Sequence, residues 1–296
     1  MRTPDVIALG ETMLSLVAAD GPLAESRTLH VTFGGAEANT CVGLVRLGVS
    51  AGWVSRLGAD VGGRRVHELI DGCGVNVRWV RWDPDRPTGL MLRDTRGTVV
   101  YYRGGSAASA LGPGDLDPVP VEGARAVLVT GITALIGPDP QRAAIALLDR
   151  ATGLRVVDPN IRPGLWGSNR AKELIAPIVE RADVLLGGER ELAELAELAG
   201  DLSGEALAHA CRAFGPREVA VKRGERGAGV LDEKGEWHEL VPEHVHDVDP
   251  VGAGDAFNAG YVAARLNGAP PRDALVQGAR CGAEAAGRVG DAIAVR

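Results

Sequence analysis

Short apolar runs alternate along the chain with longer stretches in which apolar residues recur every three or four positions. The short runs are typical of buried strands, and the longer stretches are typical of helices that pack on one face. The predicted strands are 6–10, 51–55, 126–130, 154–158, 184–186 and 218–222, with a hairpin of 229–231 and 237–240. The predicted helices are 37–47, 63–72, 141–150, 171–181, 189–198, 204–214, 254–267 and 271–286. This alternation indicates an α/β fold with a mainly parallel sheet covered by helices.

Two parts of the chain do not fit a parallel core. Residues 29–33 look extended, and residues 90–102 look like two extended runs around a polar turn. We interpret them as a small accessory β-sheet that projects from the main body and is formed by segments of about 12–33 and 87–104. No repeat or low-complexity tract interrupts the pattern, so residues 1–296 are predicted to form a single domain.

Composition and charge limit the partners and the location of the protein. The 296 residues include 32 Lys and Arg against 39 Asp and Glu, a formal net charge of −7. A mildly acidic chain has no electrostatic reason to bind nucleic acid or an anionic membrane. The apolar stretch of a signal peptide is missing at the start, and no uncharged stretch approaches the ~20 residues that cross a bilayer. Four cysteines without a CxxC pair are expected to be reduced thiols. We therefore expect a cytoplasmic protein with neither a nucleic-acid nor a membrane partner.

The strongest chemical signal is residues 249–257, DPVGAGDAF. Gly252 and Gly254 lack Cβ atoms, so backbone N–H groups can crowd around an anion, and the helix that starts there directs its positive end to the same place. A carboxylate at this position is electrostatically costly unless it has a task. Asp255 could take the proton of an attacking hydroxyl while the amides of Gly252, Ala253 and Gly254 hold the transferred phosphoryl group. The alternative is a glycine turn with Asp255 as helix cap.

Two further glycine segments add to this signal. Residues 222–229, KRGERGAG, follow a strand and allow close approach of a nucleotide, although the Walker spacing is absent and a hairpin turn is the alternative. Residues 34–39, GGAEAN, lie between a strand and a helix. Their glycines leave room for a polar ligand, and Asn39 offers both a donor and an acceptor. The alternative for the second segment is ordinary chemistry of a helix start.

Taken in their order along the chain, 34–39, 222–229 and 249–257, and at these separations, the three segments resemble the ribokinase-like, pfkB-type sugar kinases. The resemblance extends along essentially the whole chain. The resemblance implies a three-layer αβα Rossmann-like sandwich with a mainly parallel central sheet and a small β-sheet lid. It also implies phosphoryl transfer from ATP with Mg²⁺, with Asp255 as catalytic base and its glycines as the anion hole. The nucleotide contacts it implies are Lys222, Arg223, Gly224, Glu225, Arg226 and Gly227. The sugar contacts it implies are Gly34, Gly35, Ala36, Glu37, Ala38 and Asn39.

Within that family the chain is most similar to 2-keto-3-deoxygluconate kinases. The segments that carry this similarity are 87–89 (PTG), 101–107 (YYRGGSA), 130–133 (TGIT), 158–163 (DPNIRP) and 165–166 (LW). The similarity implies substrate contacts by Met91, Tyr102, Arg103, Ile132, Arg162 and Asp291. It also places Asn160, together with Arg162, beside the nucleotide phosphates.

A sugar acid is the expected substrate, because arginine offers a planar fork that suits a carboxylate. The alternative for Arg103 and Arg162 is a pair of surface ion pairs. Tyr101 and Tyr102 occupy adjacent strand positions, so only one of them can face the sugar. The expected reaction is phosphorylation of the primary hydroxyl of 2-keto-3-deoxygluconate to give the 6-phosphate. The alternatives are a neutral sugar such as fructose or ribose, a related acid such as 2-keto-3-deoxygalactonate, or a non-catalytic sugar-binding protein on the same fold.

Some positions depart from the family pattern. Met91 stands where an aromatic residue is expected, and Gly188 replaces the asparagine of an Asn-x-x-Glu motif, whose glutamate matches Glu191. We expect Mg²⁺ to be held indirectly, through water and Glu191. Asp249 lies where the family often has a monovalent-cation site, so K⁺ is a candidate there; a plain turn residue before Pro250 is the alternative. An exposed lid sheet often pairs with another subunit, which predicts a homo-oligomer through the lid.

Overall fold

The computed structural model describes residues 2–94, 96–161, 168–197, 203–241 and 251–287. The strands are β1 (Val6–Leu9), β2 (Met13–Ala18), β3 (Leu29–Gly34), β4 (Ala51–Gly58), β5 (Asn76–Asp83), β6 (Leu90–Arg93), β7 (Val99–Tyr102), β8 (Ala126–Thr130), β9 (Leu154–Asp158), β10 (Val184–Gly188), β11 (Glu218–Lys222), β12 (Ala228–Leu231) and β13 (Trp237–Leu240). The helices are α1 (Ala36–Arg46), α2 (Val61–Asp71), α3 (Gly131–Leu135), α4 (Pro138–Arg150), α5 (Ser168–Val179), α6 (Glu189–Leu195), α7 (Gly204–Arg212), α8 (Ala253–Leu266) and α9 (Pro271–Ala286).

A large sheet forms the middle layer, with the strand order β13-β12-β11-β10-β9-β8-β1-β4-β5. From β5 to β11 the neighbours are parallel, whereas β12 and β13 continue the sheet as an antiparallel hairpin. Strands such as β1 are buried along their whole length, as expected for a parallel sheet covered on both faces. The predicted α/β class with a mainly parallel central sheet is confirmed.

Helices cover both faces of the large sheet and enclose two apolar clusters. One cluster includes Leu147 of α4 and Leu207 of α7, and the other includes Val66 of α2 and Phe257 of α8. The chain therefore has the predicted αβα layers. None of the described helices combines the length and the apolarity that a bilayer-spanning helix requires.

The edge strand β5 is an element that the sequence pattern did not predict. Its sequence is NVRWVRWD, in which Arg78 and Arg81 interrupt the apolar run. The strand still forms because Trp79 packs into one of the two apolar clusters, and Val77 and Val80 pack into the other. Apolar continuity is a weaker signal at an edge, where half of the strand faces water.

A second, small sheet has the order β3-β2-β6-β7, and its strands come from the two segments that the pattern singled out as extended. The central pair, β2 and β6, is parallel, and the outer pairs are antiparallel. Side chains of one face, among them Ser15 and Met91, are buried. The opposite face leaves large apolar side chains exposed at Leu29, Val31, Val100 and Tyr102.

Candidate active site

Asp255 lies in the first turn of α8, with only 6% of its surface exposed. The residue before that helix, Gly252, has a φ of 84°, a left-handed conformation that favours glycine. The Asp255 Oδ2 atom accepts a hydrogen bond of 2.8 Å from the side-chain amide of Asn39. The structure thus brings together the aspartate of the last glycine segment and the asparagine of the first.

The N-terminus of α8 faces an ammonium group. A Cβ atom added at Gly254 would lie 3.5 Å from Lys222 Nζ, so the missing side chain leaves the space between them open. Backbone N–H groups at a helix N-terminus and a lysine ammonium both attract anions. Gly252, Ala253, Gly254 and Lys222 therefore form a cradle suited to a phosphate group.

Lys222 is held by a buried polar network. Its Nζ lies 2.8 Å from Asp158 Oδ2 and 3.2 Å from Asn258 Oδ1, and the Asn258 amide donates to the same aspartate oxygen at 2.7 Å. Burial alone would lower the pKa of Lys222, but the carboxylates of Asp158, Glu191 and Asp255 raise it above its ordinary value. Lys222 is therefore charged at neutral pH.

Asn160 has an unusual backbone just after β9. Its φ is 41°, in the left-handed region that asparagine tolerates better than most residues, and its backbone N–H donates to Asp158 Oδ1 at 2.9 Å. Sparsely populated backbone conformations concentrate at functional sites. Asp158 therefore holds Lys222 with one oxygen and the Asn160 backbone with the other.

These residues surround a cavity of about 550 Å³, within the range of small-molecule sites. Its wall of small residues, Ala279, Gly282 and Ala283, comes from α9. The lining residues to which the sequence analysis had assigned a role in the site are Asn160, Glu191, Lys222, Arg223, Gly224, Glu225, Gly227, Gly252, Ala253, Gly254 and Asp255. The cavity has the size, the glycine cradle and the positive charge that a nucleoside triphosphate requires.

Two arginines of the 222–227 segment are engaged elsewhere. Arg223 pairs with Glu239 of β13, and Arg226, whose side chain is largely exposed, pairs with Glu189. Arg223 still lines the cavity, whereas Arg226 is not among the lining residues.

Glu191 faces the same cavity from the start of α6. Its Oε2 accepts the backbone N–H of Gly188 at 2.8 Å, which caps the helix. A Cβ atom at Gly188 would lie 2.9 Å from that oxygen, so the glycine leaves room for the glutamate to bend back. Carboxylate oxygens beside a phosphate cradle are the donor type that Mg²⁺ uses, usually with several waters retained.

Glu37 has a position that the sequence did not reveal. It is buried, and its Oε1 accepts hydrogen bonds from Thr130 N at 3.0 Å, Thr130 Oγ1 at 2.8 Å and Thr133 Oγ1 at 2.7 Å. Burial raises the pKa of Glu37 above its ordinary value, although the threonine donors oppose the shift. Its side chain fills the space left by Gly10, where a Cβ would lie 2.1 Å from Glu37 Cδ. Glu37 thus joins two predicted sugar-binding segments, 34–39 and 130–133.

The remaining predicted sugar contacts near α1 and α3 lie around the same junction. Gly34 ends β3 and Gly35 precedes α1, where a Cβ would lie 2.5 Å from the backbone oxygen of Glu11. Ala36 begins α1, and Ala38 is fully buried in an apolar cluster. Ile132 is half-buried in α3.

Arg103 follows β7 and extends over the Tyr101 ring, with its guanidinium carbon 5.9 Å from the ring centroid. Tyr101 also pairs with Met91 across the small sheet. Tyr102, which the sequence analysis favoured, lies on the opposite face with 62% of its surface exposed. Strand alternation predicted that only one of the two tyrosines can face the sugar, and Tyr101 is the one that lies beside Arg103.

Several residues of this region were not predicted. Glu11 pairs with Arg103 and accepts a hydrogen bond of 2.5 Å from Ser106, while Asp158 and Asn258 hold Lys222. Polar residues at or just beyond the carboxyl ends of buried parallel strands are a signal that could have found Glu11 and Asp158, because ligands bind at those ends. The predicted contacts Arg162, Asp249 and Asp291 lie outside the described residues.

The chain matches a family of known proteins along nearly its whole length. Residues 3–296 match the family described as pfkB family carbohydrate kinase. The chain belongs to the pfkB family of carbohydrate kinases. This carbohydrate kinase is 33% identical to the 2-dehydro-3-deoxygluconokinase of Thermoproteus tenax, over 91% of its own chain and 84% of that protein. It is also 33% identical to the 2-dehydro-3-deoxygalactonokinase of Haloferax volcanii, over 94% and 89%.

Solved structures of the family have the same architecture as this carbohydrate kinase. The PfkB protein from Polaromonas sp. JS666 superposes with a TM-score of 0.86 at 34% identity, and 96% of each chain is covered. Membership of the family implies the use of ATP and Mg²⁺. The glycine cradle, Lys222 and Glu191 are groups of this chain that fit those ligands.

Proposed function

We propose that the protein transfers the γ-phosphoryl group of ATP to the primary hydroxyl of 2-keto-3-deoxygluconate and forms the 6-phosphate. The observation that carries the proposal is the placement of the Asp255 carboxylate at the N-terminus of α8, between the cavity and Asn39. Relatives named for the phosphorylation of 2-dehydro-3-deoxy sugar acids support the choice of substrate.

We assign one or more residues of the site to each step of the proposed reaction. Asp255 accepts the proton of the sugar hydroxyl, and Asn39 fixes the carboxylate that does so. The amides of 252–255 and the Lys222 ammonium stabilise charge on the phosphoryl oxygens. Mg²⁺, when bound with ATP, neutralises phosphate charge, and Glu191 would hold it through water. In-line transfer then needs only that the two substrates meet above Asp255.

The sugar acid is proposed to lie between the carboxyl ends of the large sheet and the small sheet, which acts as a lid. Arg103 would receive the carboxylate, with Tyr101 and Met91 beside it on the same face. Closure of the lid would exclude water and so suppress hydrolysis of ATP. Arg162 and Asp291 stay predicted sugar contacts, and a K⁺ site at Asp249 stays a prediction.

A second candidate substrate is the C4 epimer, 2-keto-3-deoxygalactonate. The Haloferax volcanii relative is as similar to the chain as the Thermoproteus tenax relative. A neutral sugar such as fructose is the further alternative, because Glu11 already neutralises the charge of Arg103.

We also propose that two copies of the chain associate through their small sheets. Val31 is 48% exposed and lies on the same face as Val100 and Tyr102. An apolar sheet face of this kind is unfavourable in water, and a second copy offers a matching surface. A cytoplasmic location, where ATP is available, is part of the same proposal.

A coupled assay of ATP consumption tests the function. It compares 2-keto-3-deoxygluconate, 2-keto-3-deoxygalactonate, fructose and ribose, each with and without K⁺. The highest kcat/KM is expected for a 2-keto-3-deoxy acid. A preference for fructose or ribose would contradict the sugar-acid assignment, and the absence of turnover with every sugar would contradict the kinase.

A further inference from the structure

Glu11 lies where the two sheets join. The chain passes between the large and the small sheet at residues 10–12, 34–35, 87–89 and 103–106. These passages meet at one junction. The last two are joined by a hydrogen bond of 2.8 Å, which the backbone N–H of Ala107 donates to the backbone oxygen of Pro87. A residue at this place can control how the small sheet is held over the site.

The atoms of Glu11 reach the other three passages. Its backbone oxygen would lie 2.5 Å from a Cβ at Gly35, and its Oε1 would lie 2.9 Å from a Cβ at Gly89. The same Oε1 accepts the Ser106 hydroxyl at 2.5 Å, and Oε2 pairs with Arg103 Nη2. Both glycines therefore allow the close approach that centres the junction on Glu11.

The pair of Glu11 and Arg103 is shielded from water. The Glu11 side chain is 1% exposed and the Arg103 side chain 11%. Ion pairs in such surroundings are weakly screened, and loss of one partner leaves the other charge buried without compensation. The pair therefore fixes the guanidinium far more firmly than an exposed pair would.

One nitrogen of the Arg103 guanidinium lacks a partner in the part of the chain that the structure describes. Its Nε is buried and has no hydrogen-bond acceptor among the described residues. A buried donor without an acceptor is costly, and such groups in native structures point to a ligand or to function. Glu11 pairs with Nη2, so the Nε–H group is the donor left for an incoming carboxylate.

We propose that Glu11 is a positioning residue: it holds Arg103 and Ser106 so that the small sheet closes with the Nε–H group of Arg103 presented to the carboxylate of the substrate. The proposal rests on the sugar-acid kinase function given above. It assigns Glu11 no contact with the reacting atoms. Its effect on catalysis passes through Arg103.

Steady-state kinetics of Glu11→Gln test the link to Arg103. The amide keeps the shape and an acceptor for Ser106 but removes the charge. We expect the KM for 2-keto-3-deoxygluconate to rise by about 10-fold or more, the worth of a hydrogen bond to a charged group, with the KM for ATP little changed. In the background of Arg103→Leu, the same change should have almost no further effect, because contacting residues are not additive. Additive effects of the two changes would overturn the proposal.

Glu122→Gln is the matched control. Glu122 accepts Arg150 Nε at 2.8 Å in an ion pair near the amino end of strand β8, away from the junction. Its loss should leave both KM values unchanged. Ser106→Ala removes only the neutral partner of Glu11 and should raise the sugar-acid KM less than Glu11→Gln does.

Amide hydrogen exchange of the unliganded protein tests the junction without any substrate. In Glu11→Gln the amides of β6 and β7 should exchange faster by about 10-fold, while those of β8 keep their protection. Unchanged exchange in β6 and β7 would overturn the role of Glu11. A wild-type enzyme that turns over only neutral sugars would instead overturn the proposed function, and faster exchange would then still support Glu11 as the residue that closes the small sheet.

Discussion

The side chain of Asn39 donates a 2.8 Å hydrogen bond to the carboxylate of Asp255 across 216 positions of sequence. Asn39 lies in α1 and Asp255 in α8, two helices that pack together on the same face of the large sheet. The contact leaves the carboxylate oriented at the mouth of the cradle. A general base needs both this orientation and access to its proton donor.

Replacement of Asp255 by Asn should therefore reduce kcat by about 10²–10⁴-fold, the usual worth of a general base, while ATP still binds. Rapid-quench kinetics and calorimetric titration with ATP would measure the two effects. Asp273→Asn is the control, since Asp273 also lies in the first turn of a helix, α9, but outside the cavity lining. A near-normal rate in Asp255→Asn would contradict its role.

Replacement of Lys222 by Met should weaken ATP binding and also destabilise the fold. The change leaves the carboxylate of Asp158 buried without its cation, which typically costs about 3–5 kcal/mol in the free energy of unfolding. Urea denaturation would measure the loss. The double variant Lys222→Met/Asp158→Asn should recover part of the stability but not the affinity for ATP. Recovery of both would show that Lys222 does not contact phosphate.

Replacement of Arg103 by Leu should raise the KM for a sugar acid much more than the KM for fructose. The change removes the partner of the substrate carboxylate, and a hydrogen bond between charged groups changes the binding affinity by about 10–100-fold. A neutral sugar has no carboxylate, so its affinity does not depend on this contact. Parallel KM measurements with the sugar acid and with fructose would test this difference. Equal increases would count against recognition of a carboxylate by Arg103.

Acid should weaken the small sheet through Asp94, which lies after β6. Its carboxylate accepts backbone N–H groups of Leu23, Thr98 and Arg96, and these bonds lower its pKa to about 2. The lowered pKa gives a stabilisation that is complete above the ordinary value of 3.8 and is lost as the pH falls toward 2. Asp94→Asn should therefore lower the free energy of unfolding at pH 6 and differ less from wild type at pH 2. A constant difference between the two proteins over this range would contradict the prediction.

Replacement of Tyr102 by Glu should convert a dimer into a monomer, because it places a charge on the exposed apolar face of the small sheet. Sedimentation velocity would measure the assembly state. Trp82→Glu, on the edge strand β5, changes another exposed aromatic residue and should leave the dimer intact. A monomeric wild-type protein would contradict the proposed association.

Local signals in the sequence were sufficient for much of the fold. Buried aliphatic runs such as 126–130 and 218–222 predicted strands with the observed bounds, because continuous apolar runs have few other stable places. The extended pieces that form β2, β3, β6 and β7 were recognised by their contrast with the parallel pattern. The glycines around Asp255 indicated a helix N-terminus suited to anions, since both the turn and the dipole are local properties.

Only the tertiary structure decided which side chains meet. Strand alternation showed that Tyr101 and Tyr102 point to opposite faces, but the pairing of β6 with β7 and the packing of the sheet were needed to place Tyr101 beside Arg103. In the same way, the partners Glu11 and Arg103 precede β2 and follow β7, two strands that are not neighbours in the small sheet. Such contacts depend on how distant segments pack, and a single sequence carries no local signal for that. The sequence thus determined the type of chemistry, and the packing determined the geometry in which it can occur.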